Sequence, residues 1–481
     1  MTALNIVAIG DSLTQGFVHG ATARPRWSYP AILARALGVD DAAHRVPEEE
    51  GPGFPVDVSK LLAYVEARAG AELTGGKWLT KLPFHVNRYL DLVEDFYERG
   101  PGQRPRAAQG TYHNLACFGF TVNEALTLTP SLAQMMIEAD EGRLQDDLFG
   151  MPSGPMYRNA QLVLNPTAAG ELEHSTMLDS VRRLAEREPI DILLVWLGNN
   201  DALQTVLHME LGEMPENFRG TEALQRIGMR LTSKAQFERD FDRLVAQLDN
   251  ILASAKGRRQ VYVGTVPHVT IPPVTTGLGE MVDGYFEAYG RFYRNPGSSG
   301  GTVLTRAEVR HIDERIDDFN ATISARAKER GWTVIDTVGI IDRLAVKRNG
   351  YLMAPGQALR NDLAARGYNQ HPLLELDPVP SLLGYQVART DDGPARVGGG
   401  IFGLDYVHPS TVGYALIAEH FLDMIKLNNP HDQHIQEAQV DWESVLVIDD
   451  LFSAPPGLWH DLSAKLERGA WLWDRLVKIL G

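Results

Sequence analysis

The sequence predicts an α/β protein, a parallel sheet with helices over both of its faces. Three observations carry that prediction. Short apolar runs recur along the 481 residues, each bounded by turn-forming residues. Between them lie longer segments whose apolar residues fall three and four apart, as in helices with one buried face. The two patterns alternate, and a strand that is to pair in parallel with its predecessor needs such a crossover between them.

Five runs read as strands: Asn5 to Ile9, Tyr112 to Ala116, Ile190 to Leu197, Gln260 to Thr265 and Thr333 to Asp336. Of the helices between them, one begins near Ser233, with Phe237, Phe241, Leu244, Leu248 and Ile251 facing inward. The clearest runs from about Thr305 to Arg330, with Val309, Ile312, Ile316, Phe319 and Ile323 as its apolar stripe. Thr305 and Glu308 form a capping box at its start, and Gly331 follows its end.

Composition narrows the function. A hydrophobic content of 44% in a chain this long supports a sizeable core. The net charge of -16 repels a phosphate backbone or an anionic membrane, so a small or neutral substrate fits better than nucleic acid. The single cysteine, Cys117, rules out an internal disulfide framework, and its apolar neighbours make it a small buried hydrophobe rather than a nucleophile. The chain opens on a polar start and a strand instead of a secretory signal, and no apolar run reaches the roughly 18 residues of a membrane span, which together lead us to expect the cytoplasm.

Residues 1–426 read as one domain with four insertions, at about 38–110, 203–232, 271–304 and 347–403, and residues 427–481 read as a tail. Long insertions of this kind decorate the functional edge of a sheet. Two of them carry aromatic residues at helical spacing: Val86, Tyr89, Leu90, Val93 and Phe96 in the first, and Tyr285, Tyr289 and Phe292 in "MVDGYFEAYGRFY". Core packing explains such stripes; the alternative is that these helices roof a substrate pocket. The tail ends in an amphipathic pattern through Leu462, Leu466, Leu472, Leu476 and Leu480 beside Trp471 and Trp473. It can pack on its own body, pair with a second subunit or touch a membrane, and its balanced charge puts the membrane last.

Chemistry-bearing residues gather just past the strand ends, where open parallel sheets collect their ligands. After the first strand, "GDSLTQG" sets Ser12 where it is either a helix cap or a nucleophile. "NLACFGFTV" puts Gly119 after the second, a residue whose backbone N–H can approach a ligand closely. "GNND" after the third offers Asn200, either as a cap or as a side-chain N–H donor. In "DYVHPS", Asp405 and His408 are three positions apart, so the carboxylate can hold Nδ1–H while Nε2 serves as a base. Pro409 favours an extended His408 and suits the first turn of the helix behind it. His431 and His434 lie in a polar run with no further ligand cluster, and "TDDGPA" at 390–395 reads as a turn, so no metal site is expected.

The four blocks, in this order, resemble the GDSL or SGNH hydrolase superfamily. The resemblance covers the strands and their ends and leaves the insertions unexplained. It implies a flavodoxin-like three-layer α/β/α sandwich on a five-stranded parallel sheet, with no cofactor. It also implies a Ser12, His408, Asp405 triad, with an oxyanion hole formed by the N–H groups of Ser12 and Gly119 and the amide of Asn200. Asp11 would shape the nucleophile turn, and Asn114, Thr121 and Asp201 would support the site. The implied reaction is ester hydrolysis through an acyl-enzyme, on a small-molecule ester. An acyltransferase or thioesterase would use the same residues, and a non-catalytic binding protein could use the same fold.

Overall fold

The computed structural model describes residues 4–47, 51–73, 75–78, 80–103, 110–141, 152–220, 223–293, 301–464, 470 and 473–474. Nine strands form among them: β1 (Ile6–Gly10), β2 (Ile192–Trp196), β3 (Gln260–Gly264), β4 (Thr275–Val282), β5 (Tyr285–Arg291), β6 (Val303–Thr305), β7 (Thr333–Ile335), β8 (Gln386–Thr390) and β9 (Gly393–Gly398). The central sheet is parallel, in the order β1-β2-β3-β7. Ile6 lies opposite Ile192 and Gly10 opposite Trp196, so the first two strands end level with one another.

Successive side chains of a strand point to opposite faces, and in a parallel sheet both faces are buried. Val7 and Ile9 of β1, Leu193 and Val195 of β2, and Val261 and Val263 of β3 enter one core. Ile6, Ala8, Ile192, Leu194, Trp196 and Tyr262 enter the other. The helices that matter below are α1 (Ser12–Gln15), α2 (Tyr29–Ala36), α3 (Val58–Ala69), α4 (Lys81–Glu94), α5 (Val122–Thr127), α6 (Asn200–His208), α7 (Lys234–Ser254), α8 (Arg306–Arg330), α9 (Thr337–Leu344), α10 (Gln357–Ala365), α11 (Thr411–Asn428) and α12 (Leu458–Ala464). α7 and α8 cover the first face through the residues their periodicity picks out, with the rings of Phe237 and Phe319 stacked 4.1 Å apart. Ser233 caps α7; Thr305 and Glu308 cap α8 reciprocally, and α8 stops at Gly331 in the left-handed conformation. α2 and α11 cover the second face with Tyr29, Ile32, Leu33, Tyr414, Leu416 and Phe421. The three-layer α/β/α arrangement expected from the sequence is the one observed.

The fifth strand differs from expectation. The segment Tyr112 to Ala116 lies along the free edge of β1 and forms only an isolated parallel bridge, Ala8 to Asn114. It exchanges bonds with Ala8 on both sides, but the N–H groups of His113 and Asn114 turn to the Arg45 carbonyl, and the Asn114 side chain takes the Ala116 N–H. Of these, only the His113 N–H faces β1, and with it drawn to Arg45 the central sheet has four regular strands.

The insertions also differ. The first is helical as expected: Val86, Tyr89, Leu90 and Val93 are buried on α4, and Phe96 packs beside them from a π-helical turn at its end. The third is not. Tyr285 and Tyr289 lie on β5, which pairs antiparallel with β4, and Phe292 follows the strand. Asp283 and Gly284 both have positive φ, so the Asp-Gly pair forms the hairpin turn that fixes this register. The fourth insertion carries α10 together with the β8–β9 hairpin, and "TDDGPA" is the tip of that hairpin.

From the tail, Leu458, Trp459, Leu462 and Trp473 are buried in the first core, where the Trp473 ring stands edge-on to Trp459 and Phe292. Leu466, Trp471, Leu472, Leu476 and Leu480 lie outside the described residues. Among the described residues, no helix is long and apolar enough to cross a membrane.

Candidate active site

The site is assembled where β1 and β2 end. Gly10 has no alternative there, because a Cβ would stand 2.7 Å from the Trp196 carbonyl oxygen. The next residue, Asp11, caps α1: one carboxylate oxygen accepts the Leu13 N–H at 3.1 Å and the other accepts the Asn199 amide at 2.8 Å. Capping therefore belongs to Asp11, and Ser12 is the first residue of the helix. Burial pushes the Asp11 carboxyl up to about 6, with the Asn199 and Leu13 hydrogen bonds working against that rise.

The turn from Asp405 to His408 brings the other two groups. Tyr406 adopts a left-handed φ of 61°, held by hydrogen bonds from its N–H to the Gly403 carbonyl and from its hydroxyl to the Tyr385 carbonyl. One Asp405 oxygen accepts the N–H groups of Val407 and His408, each at 2.9 Å. Its second oxygen accepts the Gly20 N–H at 2.7 Å and faces His408 Nδ1 at 3.1 Å. His408 Nε2 lies 2.9 Å from Ser12 Oγ. All three side chains are buried. Burial alone would raise the Asp405 carboxyl, but the charge and hydrogen bonds of His408, with the Val407 N–H, bring it below the usual carboxylate range. A carboxylate kept ionised against Nδ1 places the imidazole proton there and leaves Nε2 free to accept from the serine.

Beyond the turn, Ser410 caps α11, and from that helix the Tyr414 hydroxyl donates to the carbonyls of Phe17 at 2.7 Å and Ser12 at 3.3 Å. The Phe17 ring packs 4.5 Å from the imidazole. Behind Asp405, His19 Nδ1 accepts the Leu404 N–H at 2.9 Å while its Nε2 faces Asp450 at 3.0 Å. Sequence reasoning missed Phe17, His19, Gly20, Asn199 and Tyr414. Four of these sit within ten residues of Ser12 or six of His408, and that closeness was the available signal.

Gly119 and Asn200, expected with Ser12 to supply the oxyanion donors, lie just past the second segment and β2. Gly119 has a φ of 81°, and neither its N–H nor that of Ser12 has an acceptor among the described residues. The Asn200 amide donates one hydrogen to the Phe120 carbonyl at 2.9 Å, which orients the group and leaves its second hydrogen. Asn114 ties the second segment to α1 through the Thr14 carbonyl at 2.8 Å. Thr121 caps α5 in a capping box with Glu124. Asp201 accepts the Val122 N–H at 3.1 Å and the Thr232 hydroxyl at 2.7 Å, joining that cap to α6. Burial pushes Asp201 up to about 7 against those two hydrogen bonds, with Glu124 and Asp240 adding to the rise. Cys117 is buried among apolar residues, and burial holds its thiol well above the ordinary value.

A cavity opens at Ser12 and His408, and Tyr285, Tyr289 and Phe292 are not among its walls. Phe292 lines a different cavity of about 540 Å³ with Tyr385 and Tyr406, while Tyr289 is buried in the first core. Among the described residues there is no group of three or more His, Cys, Asp or Glu side chains able to hold a metal ion. A serine hydroxyl bonded to an imidazole that is itself oriented by a carboxylate has the parts of an activated nucleophile.

Compared with known proteins, residues 6–421 match the family described as GDSL-like Lipase/Acylhydrolase. No curated protein matches the chain. Among solved structures, LAE5, described as an alpha/beta hydrolase enzyme from the metagenome of Lake Arreo, Spain, is 15% identical, with 76% of this chain and 96% of that one covered and a TM-score of 0.23.

Proposed function

This chain belongs to the GDSL-like lipase/acylhydrolase family, and from that premise we propose that it hydrolyses carboxylic esters through an acyl-enzyme on Ser12. The observation that carries the reading is the chain of hydrogen bonds from Ser12 Oγ through His408 to Asp405, at 2.9 and 3.1 Å. In the proposed cycle His408 Nε2 takes the Ser12 proton as Oγ attacks the ester carbonyl carbon. The oxyanion accepts hydrogen bonds from the N–H groups of Ser12 and Gly119 and from the second Asn200 amide hydrogen. The imidazolium, steadied by Asp405, gives its proton to the departing alkoxide, and the alcohol leaves. Water then attacks the acyl-enzyme with His408 again taking the proton, which returns to Ser12 Oγ as the carboxylic acid departs.

Asp11, Asn114, Thr121 and Asp201 hold the strand ends in this reading and take no part in proton transfer. The chain is expected to act on small esters as an enzyme of the cytoplasm, without a cofactor. The test is hydrolysis of p-nitrophenyl butyrate by wild type and Ser12→Ala. Turnover by wild type that disappears in a folded Ser12→Ala protein supports the proposal, and equal turnover by both refutes it.

A further inference from the structure

On the α11 side of the sheet, the core is not filled. A cavity of about 80 Å³ starts at Ser12 and His408 and passes the ends of β2 and β3 at Trp196 and Pro267. It continues between α9, α10 and α11. One stripe of α11 lines it in sequence, Gly413, then Leu416 and Ile417, then His420, and Ile340 and Leu359 stand on the neighbouring helices. The walls are mostly apolar; Ser12 and His408 stand at one end with Asn199, Asp362 lies 3.4 Å from His420 Nε2 at the other, and His268 and Thr337 add polar side chains beside the β3 end. Protein interiors are close-packed, and an empty apolar cavity costs stability. One that opens onto a nucleophile has a ready occupant.

Resting on the ester-hydrolase reading, we propose that this cavity is a tunnel for a straight alkyl chain of the substrate, about six to eight carbons long. Two dimensions set that length. With a rise of about 1.5 Å per residue, the stripe from Gly413 to His420 is roughly 10 Å long, enough for an extended chain of about eight carbons. By volume, about 10–15 Å³ of this kind of space holds one water, and a methylene is close to a water in size, so the cavity takes roughly six. About 80 Å³ spread along roughly 10 Å suits an unbranched chain better than a ring or a branched one. The buried Asp362 and the partly buried His420 end the apolar path, so longer chains meet polar groups they cannot satisfy. The chain can be the acyl or the alkoxy part of the ester, because both extend from the carbon that Ser12 attacks.

Two substrate series separate those sources: p-nitrophenyl esters with acyl chains from two to twelve carbons, and acetate esters of straight alcohols over the same range. In one series kcat/KM is expected to rise tenfold or more from two carbons to between six and eight, and to fall by twelve. The series that responds identifies the part of the ester that is bound. Ile417→Trp, at a half-buried position of the tunnel wall, is expected to lower the eight-carbon to two-carbon ratio at least tenfold. Leu359→Ala, at the far wall, is expected to move the optimum to longer chains, and it decides the matter if Ile417→Trp melts early. No length preference in either series, in protein whose Ser12 reacts with a small fluorophosphonate, overturns the tunnel alone. An unchanged ratio in folded Ile417→Trp does the same. If Ser12 fails to react, the hydrolase reading falls and the tunnel falls with it.

Discussion

Asp405→Asn separates orientation of the base from simple presence of the triad. The amide oxygen can keep the two N–H bonds that Asp405 accepts from Val407 and His408. Its NH2 then faces the Gly20 N–H, 2.7 Å from the original oxygen, and His408 Nδ1 at 3.1 Å. Gly20 loses its acceptor in a buried place, which costs about 1–3 kcal/mol of folding stability. The NH2 donates to Nδ1, so the imidazole proton moves to Nε2 and confronts the Ser12 hydroxyl where a lone pair is needed. A base held in the wrong tautomer costs roughly 10⁴ in kcat, or about 5 kcal/mol of barrier. Turning the amide over leaves two N–H groups unpaired instead of one, so that escape is worse. The assay pairs kcat on p-nitrophenyl butyrate with a urea unfolding curve. Wild-type kcat within tenfold, in a variant that has lost 1–3 kcal/mol of stability or less, would refute the role given to Asp405.

Two further outcomes follow from the donors and the buried carboxylates. Asn200→Ala is expected to lower kcat by roughly 100- to 1,000-fold with a small change in KM, since an oxyanion donor acts mainly in the transition state; an unchanged kcat would remove it from that role. Asp201 bears on stability: with its carboxyl raised to about 7 in the fold, the native state holds a proton between pH 4 and 7 that the unfolded chain releases. Wild type therefore loses stability as pH rises through that window, on the order of 4 kcal/mol from this group. Asp201→Asn keeps an acceptor for Val122 and lets Thr232 reverse its hydrogen bond, without the charge. Thermal melts should show the variant gaining on wild type between pH 4.5 and pH 8, and a pH-independent difference would contradict the assignment.

Much of the site could be read in the sequence because each block is local. Ser12, Gly119, Asn200 and the Asp405–His408 pair each sit where a strand ends or a helix begins, and a few neighbouring residues announce that. The positions of α7 and α8 were legible for the same reason, through their caps and their stripes. The segment at Tyr112 to Ala116 was apolar enough for a strand, but the His113 N–H that faces β1 goes instead to the Arg45 carbonyl, a partner far away in the chain. Tyr285 and Tyr289 misled because four residues apart also means one face of a strand. The deciding signal, Asp283–Gly284, was present and outweighed by the aromatic spacing. His19 lies close to Ser12 in the chain, but its partners do not, and the tunnel has no local signature at all. His19 meets Leu404 across 385 residues, and the tunnel exists only because α9, α10 and α11 fail to close over the sheet ends.

The most direct test of the central claim is reaction of the wild-type protein with a small fluorophosphonate, followed by peptide mass mapping. A single adduct on the peptide carrying Ser12, strongly reduced in Asp405→Asn, is the predicted result. An unlabelled Ser12 in folded protein, or an adduct on another residue, would contradict it.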